Sequence, residues 1–159
     1  MTKATTLALL PALLASAAGG ALAQSPAATG GSAAVDVAAV NQRIDQLLGD
    51  HTRYEPVIHA FQQAMAAKDA AAVAALVAYP LRVKLDGKPA TIRDARDFVA
   101  HYAAIVTPAM AAAIGRQRYG SLFVNDQGVM FGNGEAWING ICRDASCKRF
   151  DVKVVALQP

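Results

Sequence analysis

Leu122-Phe-Val-Asn-Asp-Gln-Gly-Val-Met-Phe-Gly-Asn-Gly-Glu-Ala-Trp-Ile-Asn-Gly-Ile-Cys142, followed by Arg-Asp-Ala-Ser and then Cys147-Lys-Arg-Phe-Asp-Val-Lys-Val-Val155, is the stretch on which the fold turns. It contains the only tryptophan, both cysteines and the clearest strand pattern of the chain. Asn133-Gly134 is a two-residue hairpin signal, because a type I′ turn needs positive φ at both central positions. That turn sets Met130 opposite Trp137, Val129 opposite Ile138 and Phe131 opposite Ala136. Cys142 and Cys147 enclose a polar loop of hairpin length. If they face each other across the ladder, Phe150 stands opposite Asn139, Val152 opposite Trp137 and Val154 opposite Glu135.

Side chains alternate across a strand with period two. This register therefore gathers Met130, Trp137, Phe150, Val152 and Val154 on one apolar face, to be covered by helices. Arg149, Asp151 and Lys153 fall on a mixed, wetter face, as an antiparallel sheet allows. Glu135 and Asn139 lie on the apolar side. One reading aims them into a cavity, with the Glu135 pKa raised by desolvation. The other leaves them at the sheet margin, satisfied by water or backbone.

The 159 residues carry fifteen basic and twelve acidic side chains. Residues 1–23 read as a signal peptide: Lys3, an apolar Thr6–Ala18 run interrupted by Pro11, and the small-x-small site Ala21-Leu22-Ala23. Cleavage near Ala23-Gln24 leaves 136 residues for the periplasm or the exterior, enough for one domain. Only the Lys3 charge is removed, so the net charge falls from +3 to +2. Scattered charges of that balance exclude a nucleic-acid footprint, and the leader's apolar run is too short for a membrane span. Two cysteines in an exported chain read as a disulfide. No cofactor motif is present, and the histidines are too scattered to complete a metal set.

In chain order, residues 24–35 form a Ser/Ala/Gly/Pro-rich leader. Residues 36–50 form an amphipathic helix capped by Asp36, with Val37, Val40, Ile44 and Leu47 on one stripe and Gly49 at its end. Residues 51–159 form a single domain. Thr52-Arg-Tyr-Glu55 is a capping-box pattern for a helix that buries Val57, Ile58, Phe61 and Met65. Asp69 caps the next helix. Leu81–Leu85 and Lys88–Ile92 read as a hairpin around Asp86-Gly87. Asp94–Val106 is a helix with Phe98, Val99, Tyr102, Ile105 and Val106 on its apolar stripe. Thr107-Pro108 starts another helix, which Gly115 ends. His101 lies at a stripe edge, either as an acid or base or as a boundary histidine on a backbone partner. The class is α+β: a curved antiparallel sheet wrapped on a few helices.

This order resembles the nuclear transport factor 2-like (NTF2-like, cystatin-like cone) superfamily over roughly Tyr54 to Leu157. The resemblance is carried by Phe61 and Asp69, Tyr79-Pro-Leu-Arg-Val83, Asp86-Gly-Lys88, Asp97-Phe98, Leu122-Phe-Val-Asn125 and Gln127-Gly-Val-Met-Phe-Gly-Asn-Gly-Glu-Ala-Trp137. More narrowly, the chain is similar to small exported bacterial members of that superfamily. The resemblance implies a cone-shaped domain. It also implies one of two roles, since the superfamily holds isomerases and dehydratases beside non-enzymatic binding and dimerising domains. In a cone, Tyr54, Tyr79, Tyr102, Glu135, Asn139 and His101 would face the cavity.

Two functions follow as expectations. The first is a non-catalytic module holding a small apolar or amphipathic ligand, or a protein partner, with Tyr54, Met130, Trp137, Asn139 and Phe150 as contacts. The second is a proton-transferring enzyme with Glu135 or His101 as base and a tyrosine, Tyr102 among the candidates, as donor, which requires two of these groups to meet at one spot. A homodimer through the open sheet face is compatible with either.

Overall fold

A computed structural model describes residues 29–158. The signal-peptide reading of residues 1–23 and the first part of the 24–35 leader lie outside the described residues. The chain runs α1 (Thr29–Leu47), α2 (His51–Ala67), α3 (Ala70–Leu76), β1 (Leu81–Leu85), β2 (Lys88–Ile92), α4 (Ala95–Ile105), α5 (Pro108–Arg116), a 3₁₀ turn (Tyr119–Ser121), β3 (Phe123–Asn125), β4 (Gly128–Phe131), β5 (Ala136–Cys142) and β6 (Phe150–Leu157). The class is α+β, with a two-stranded sheet β1-β2 and a four-stranded antiparallel meander β3-β4-β5-β6.

Local chemistry accounts for most boundaries. Asp69 accepts from the N–H groups of Ala71 and Ala72, Asp94 from that of Asp97, and Thr107 from that of Met110 with Pro108 at the first helical position. Asp86 and Gly87 both take positive φ, 51° and 75°, as a two-residue turn between β1 and β2 demands. Three boundaries differ from the sequence reading. Helix α1 covers Thr29–Leu47 among the described residues, so Asp36 lies inside the helix and is not its cap. Helix α2 is capped by Asp50, whose carboxylate accepts from the Thr52 N–H and hydroxyl, so Thr52 is the capped residue and not the cap. Helix α5 continues through Gly115, where a Cβ would stand 3.1 Å from the Ala66 Cβ; the glycine lets α2 and α5 approach.

The sheet holds one confirmed register and one shifted one. β4 and β5 pair Met130 with Trp137, Val129 with Ile138 and Phe131 with Ala136. The connection is a four-residue loop, Gly132–Glu135, with Gly132 at φ 60° and Gly134 at φ 113°, rather than a two-residue turn. Both loops share one centre, so the pairing is the same. β6, by contrast, sets Phe150 opposite Cys142, Val152 opposite Gly140 and Val154 opposite Ile138. Cys147 has φ 54° and has left the strand direction. The ladder extends to Arg143 N–H on the Arg149 carbonyl, and the loop is held from inside by Asp144, which accepts from Ser146 and Lys148 N–H. The cysteines, at disulfide distance with Cα atoms 4.7 Å apart, are therefore bonded within the loop and not across the ladder.

From Cys142 to Ile138 the shift is three residues, an odd number, so it exchanges the faces of β6 relative to β5; a bulge between Trp137 and Ile138 then sets Trp137 opposite Ala156 and lets Val154 and Leu157 share a face. Phe150, Val152 and Val154 remain toward the helices. Met130 and Trp137 do not: they lie on the outer face, and the helix-covered face carries Val129, Phe131, Ala136, Ile138, Val154 and Leu157. That face joins one continuous core with Ile44 of α1, Ile58, Phe61 and Met65 of α2, Val73 of α3 and Phe98 of α4. Val99 is 43% exposed and falls outside the core stripe.

Both margins of the large sheet are partly occupied. At β3, the Arg43 guanidinium of α1 donates to the Val124 carbonyl at 3.2–3.3 Å. At β6, the Ala78 N–H takes the Val154 carbonyl at 2.9 Å and the Arg53 guanidinium takes the Phe150 carbonyl. Such contacts occupy some of the backbone groups by which an edge strand pairs with another chain.

Candidate functional site

The space between helices and sheet, where a cone would hold its ligand, is filled by side chains. Tyr54, Phe61, Phe98 and Phe131 are each 0% exposed, and the Phe61 and Phe131 rings meet edge to face with centroids 5.4 Å apart. Packing of this kind leaves no room for a small molecule. The depressions that bear on function open onto the surface.

The expected ligand contacts separate into two groups. Tyr54, Asn139 and Phe150 form a packed joint between α2 and the β5–β6 hairpin. The Tyr54 hydroxyl donates to Asn139 Oδ1 at 3.2 Å, and burial raises its pKa. Asn139 Nδ2 donates to the Gln127 carbonyl at 2.9 Å. The Phe150 ring lies 6.1 Å from that of Tyr54, and the Arg53 guanidinium carbon lies 3.7 Å from its centroid. Tyr54 is thus a core residue, not a cavity wall.

Met130 and Trp137 belong to the outer face. Phe123 pairs with Met130, Met130 with Trp137, and Trp137 with Ala156, so these residues form one row across all four strands. At about 4.8 Å per strand the row spans about 15 Å. Phe123 is 49% exposed. Around Met130 and Trp137 opens a depression of about 580 Å³ rimmed by Gln127, Asn133, Glu135 and Gln158.

The three acid–base candidates do not meet. Glu135 closes the β4–β5 loop: its carboxylate accepts from the Asn133 N–H and its carbonyl from the Gln158 N–H. It is a turn residue on the outer side, not a group aimed into the core. His101 is exposed, its Nδ1 2.9 Å from the Asp97 carbonyl and 3.2 Å from the Asp97 carboxylate, in a depression of about 350 Å³ beside β2. Tyr102 lines a different one of about 230 Å³ with Lys68 and Thr107. Successive helical residues are separated by about 100° around the axis, which parts these two neighbours. The Tyr102 hydroxyl is buried without a hydrogen-bond partner among the described residues, and burial raises its pKa, with Asp69 adding to the rise. Tyr79 donates to the Ala74 carbonyl, and burial pushes its pKa up to about 12.

Among the described residues, one cluster has metal-compatible spacing: Asp45, Asp50 and His51. Both Asp45 oxygens and Asp50 Oδ1 are already engaged. Asp45 accepts from the His51 N–H at 2.8 Å and from Nδ1 at 2.9 Å, and Asp50 caps α2. These bonds hold both carboxyls below the usual range, chiefly the His51 N–H at Asp45 and the Thr52 hydroxyl at Asp50. The cluster reads as the α1–α2 joint.

Neither a family model, nor a curated protein, nor a solved structure matches the chain. The disulfide-distance cysteine pair points to an oxidising, non-cytoplasmic compartment. No single helix among the described residues is long and apolar enough to cross a membrane.

Phe123, Gln127 and Gln158 were absent from the sequence-read contacts. Phe123 stands in a three-residue strand whose alternation alone does not say which face is covered. Only the pairing with Met130 decides it.

Proposed function

We propose that this chain is an exported, non-catalytic binding module of the NTF2-like kind, which takes a protein partner on the outer face of its four-stranded sheet. The observation that carries the reading is the Phe123–Met130–Trp137 row, left uncovered by the helices. An apolar centre with Trp and Met inside a rim of Gln127, Asn133, Glu135 and Gln158 has the composition of a protein interface. The occupied Val124 and Phe150 carbonyls interrupt the two edges and favour face contact over strand addition. The element order supports the kinship, and the cysteine pair with the Ala21-Leu22-Ala23 site supports export. Proton transfer is disfavoured because Glu135, His101 and Tyr102 serve three separate depressions.

The test is site-specific photo-crosslinking in the source compartment, with the reactive residue at Phe123 and, as control, at Val99 on α4. The reading expects a discrete protein adduct from position 123 and none from 99. Trp137→Ala should weaken binding of the excised partner by about 2 kcal/mol or more, the size of a hot-spot loss. Equal adducts from both positions would refute it, and an adduct of twice the chain mass would replace the partner with a second copy.

A further inference from the structure

A second surface site lies on the far flank of the sheet, independent of the outer-face reading. Between α2, α3 and β6 opens a depression of about 490 Å³. Its floor is apolar: Val57, Leu76 and the Phe150 ring. Its charged lining is unbalanced, with Arg53, Arg143 and Lys153 against the single carboxylate of Asp151.

The three cations are held in place by partners within the chain, and none is fully used. Arg53 lies over Phe150 and donates to its carbonyl through Nη2. Lys153 Nζ donates to the Ala75 carbonyl at 2.8 Å, and Arg143 pairs with Asp151. A guanidinium has five N–H donors and an ammonium three, so each keeps donors to spare. The backbone adds another. The carbonyls of Phe150 and Val154 both point away from β5, one to Arg53 and one to Ala78. In an antiparallel ladder, alternate residues turn their polar groups to the same side. Val152, midway between them, therefore presents its N–H and C=O at this margin.

We propose that this groove is a binding site for an amphipathic carboxylate, an apolar chain or ring with one anionic head. The head sits among Arg53, Arg143, Lys153 and the Val152 N–H, and the apolar body lies along Val57, Leu76 and Phe150. Pre-positioned charged donors beside an apolar floor select the combination of both features over either alone.

The test is a ¹H–¹⁵N NMR titration of the mature protein with octanoate, compared with acetate and with the uncharged octyl glucoside. Octanoate should bind saturably, with shifts centred on Phe150–Lys153 and α2. Acetate and octyl glucoside should bind at least tenfold more weakly. Arg143→Gln and Lys153→Gln should each reduce octanoate affinity about tenfold, equivalent to about 1.4 kcal/mol, and added salt should weaken it. Arg143 is 64% exposed, so its replacement leaves the packing intact. Equal binding of octyl glucoside, equal binding of acetate, shifts centred elsewhere, or variants with unchanged affinity would each overturn the proposal.

Discussion

Replacing Phe61 by alanine probes the filled interior directly. Phe61 is 0% exposed and meets Phe131 edge to face at 5.4 Å. Removing a buried phenylalanine ring costs about 3–5 kcal/mol through lost transfer energy and the cavity left behind. The ring pair adds roughly 0.5–1.5 kcal/mol of coupling, which a double-mutant cycle with Phe131→Leu isolates. Against a total of about 5–15 kcal/mol for a domain, that is a large share. At roughly 4 °C per kcal/mol for a chain of this size, Tm should fall by about 15 °C. Urea unfolding followed by far-UV circular dichroism gives the free energy. The variant should also acquire affinity for benzene or indole, which an apolar cavity of that size admits. A loss below about 1 kcal/mol, with wild-type protein already binding benzene or indole, would show that the interior has open space. Placing function on the outer surface would then lose its main support.

All four tyrosines, Tyr54, Tyr79, Tyr102 and Tyr119, have raised pKa values, chiefly from burial, with Tyr79 and Tyr119 pushed up to about 12. Raised folded-state values give a contribution to stability that is full below the unfolded value near 10 and is lost as pH climbs toward 12. Ultraviolet titration should show less phenolate at pH 10 than four free tyrosines would give, with most of it appearing above pH 10; a titration centred on 10 would contradict the burial. Cys142→Ser with Cys147→Ser should cost about 2 kcal/mol, the closure entropy of so short a loop. The β5–β6 amide pairing should survive in NMR spectra, because the bond lies inside the loop; a register change would refute that placement. Gly115→Leu should lower urea stability by about 1–3 kcal/mol by forcing α5 off Ala66; an unchanged midpoint would contradict the close approach.

Local chemistry made much of the fold legible in the sequence. The Asp69 and Thr107 caps, the Asp86-Gly87 turn and the centre of the β4–β5 loop were readable because each rests on a few adjacent residues. The β4–β5 pairing was readable although the loop type was not, since two- and four-residue loops around Asn133-Gly134 give the same partners. The β5–β6 register was not readable. Two cysteines five apart suggested a bond across the ladder, yet Cys147 takes a left-handed backbone conformation and the loop is ordered by Asp144. Both arrangements keep Phe150, Val152 and Val154 facing the helices, so apolar alternation could not tell them apart. The odd shift nonetheless moved Trp137 and Met130 to the outside. The candidate site followed the same division. Residue types suited to binding could be named from sequence, but which of them shared a surface depended on that single register and on whether Phe61, Phe98 and Phe131 filled the interior.

The outer placement of Trp137 supports the whole functional reading, and the residue is the only tryptophan in the chain. Acrylamide quenching of its fluorescence in the folded protein is therefore the most direct measurement. With Trp137 on the uncovered face beside Met130 and Phe123, emission should resemble that of a partly solvated indole and be readily quenched. Blue-shifted emission that resists acrylamide until the protein unfolds would put Trp137 beneath the helices. The row of residues proposed to meet a partner would then not exist.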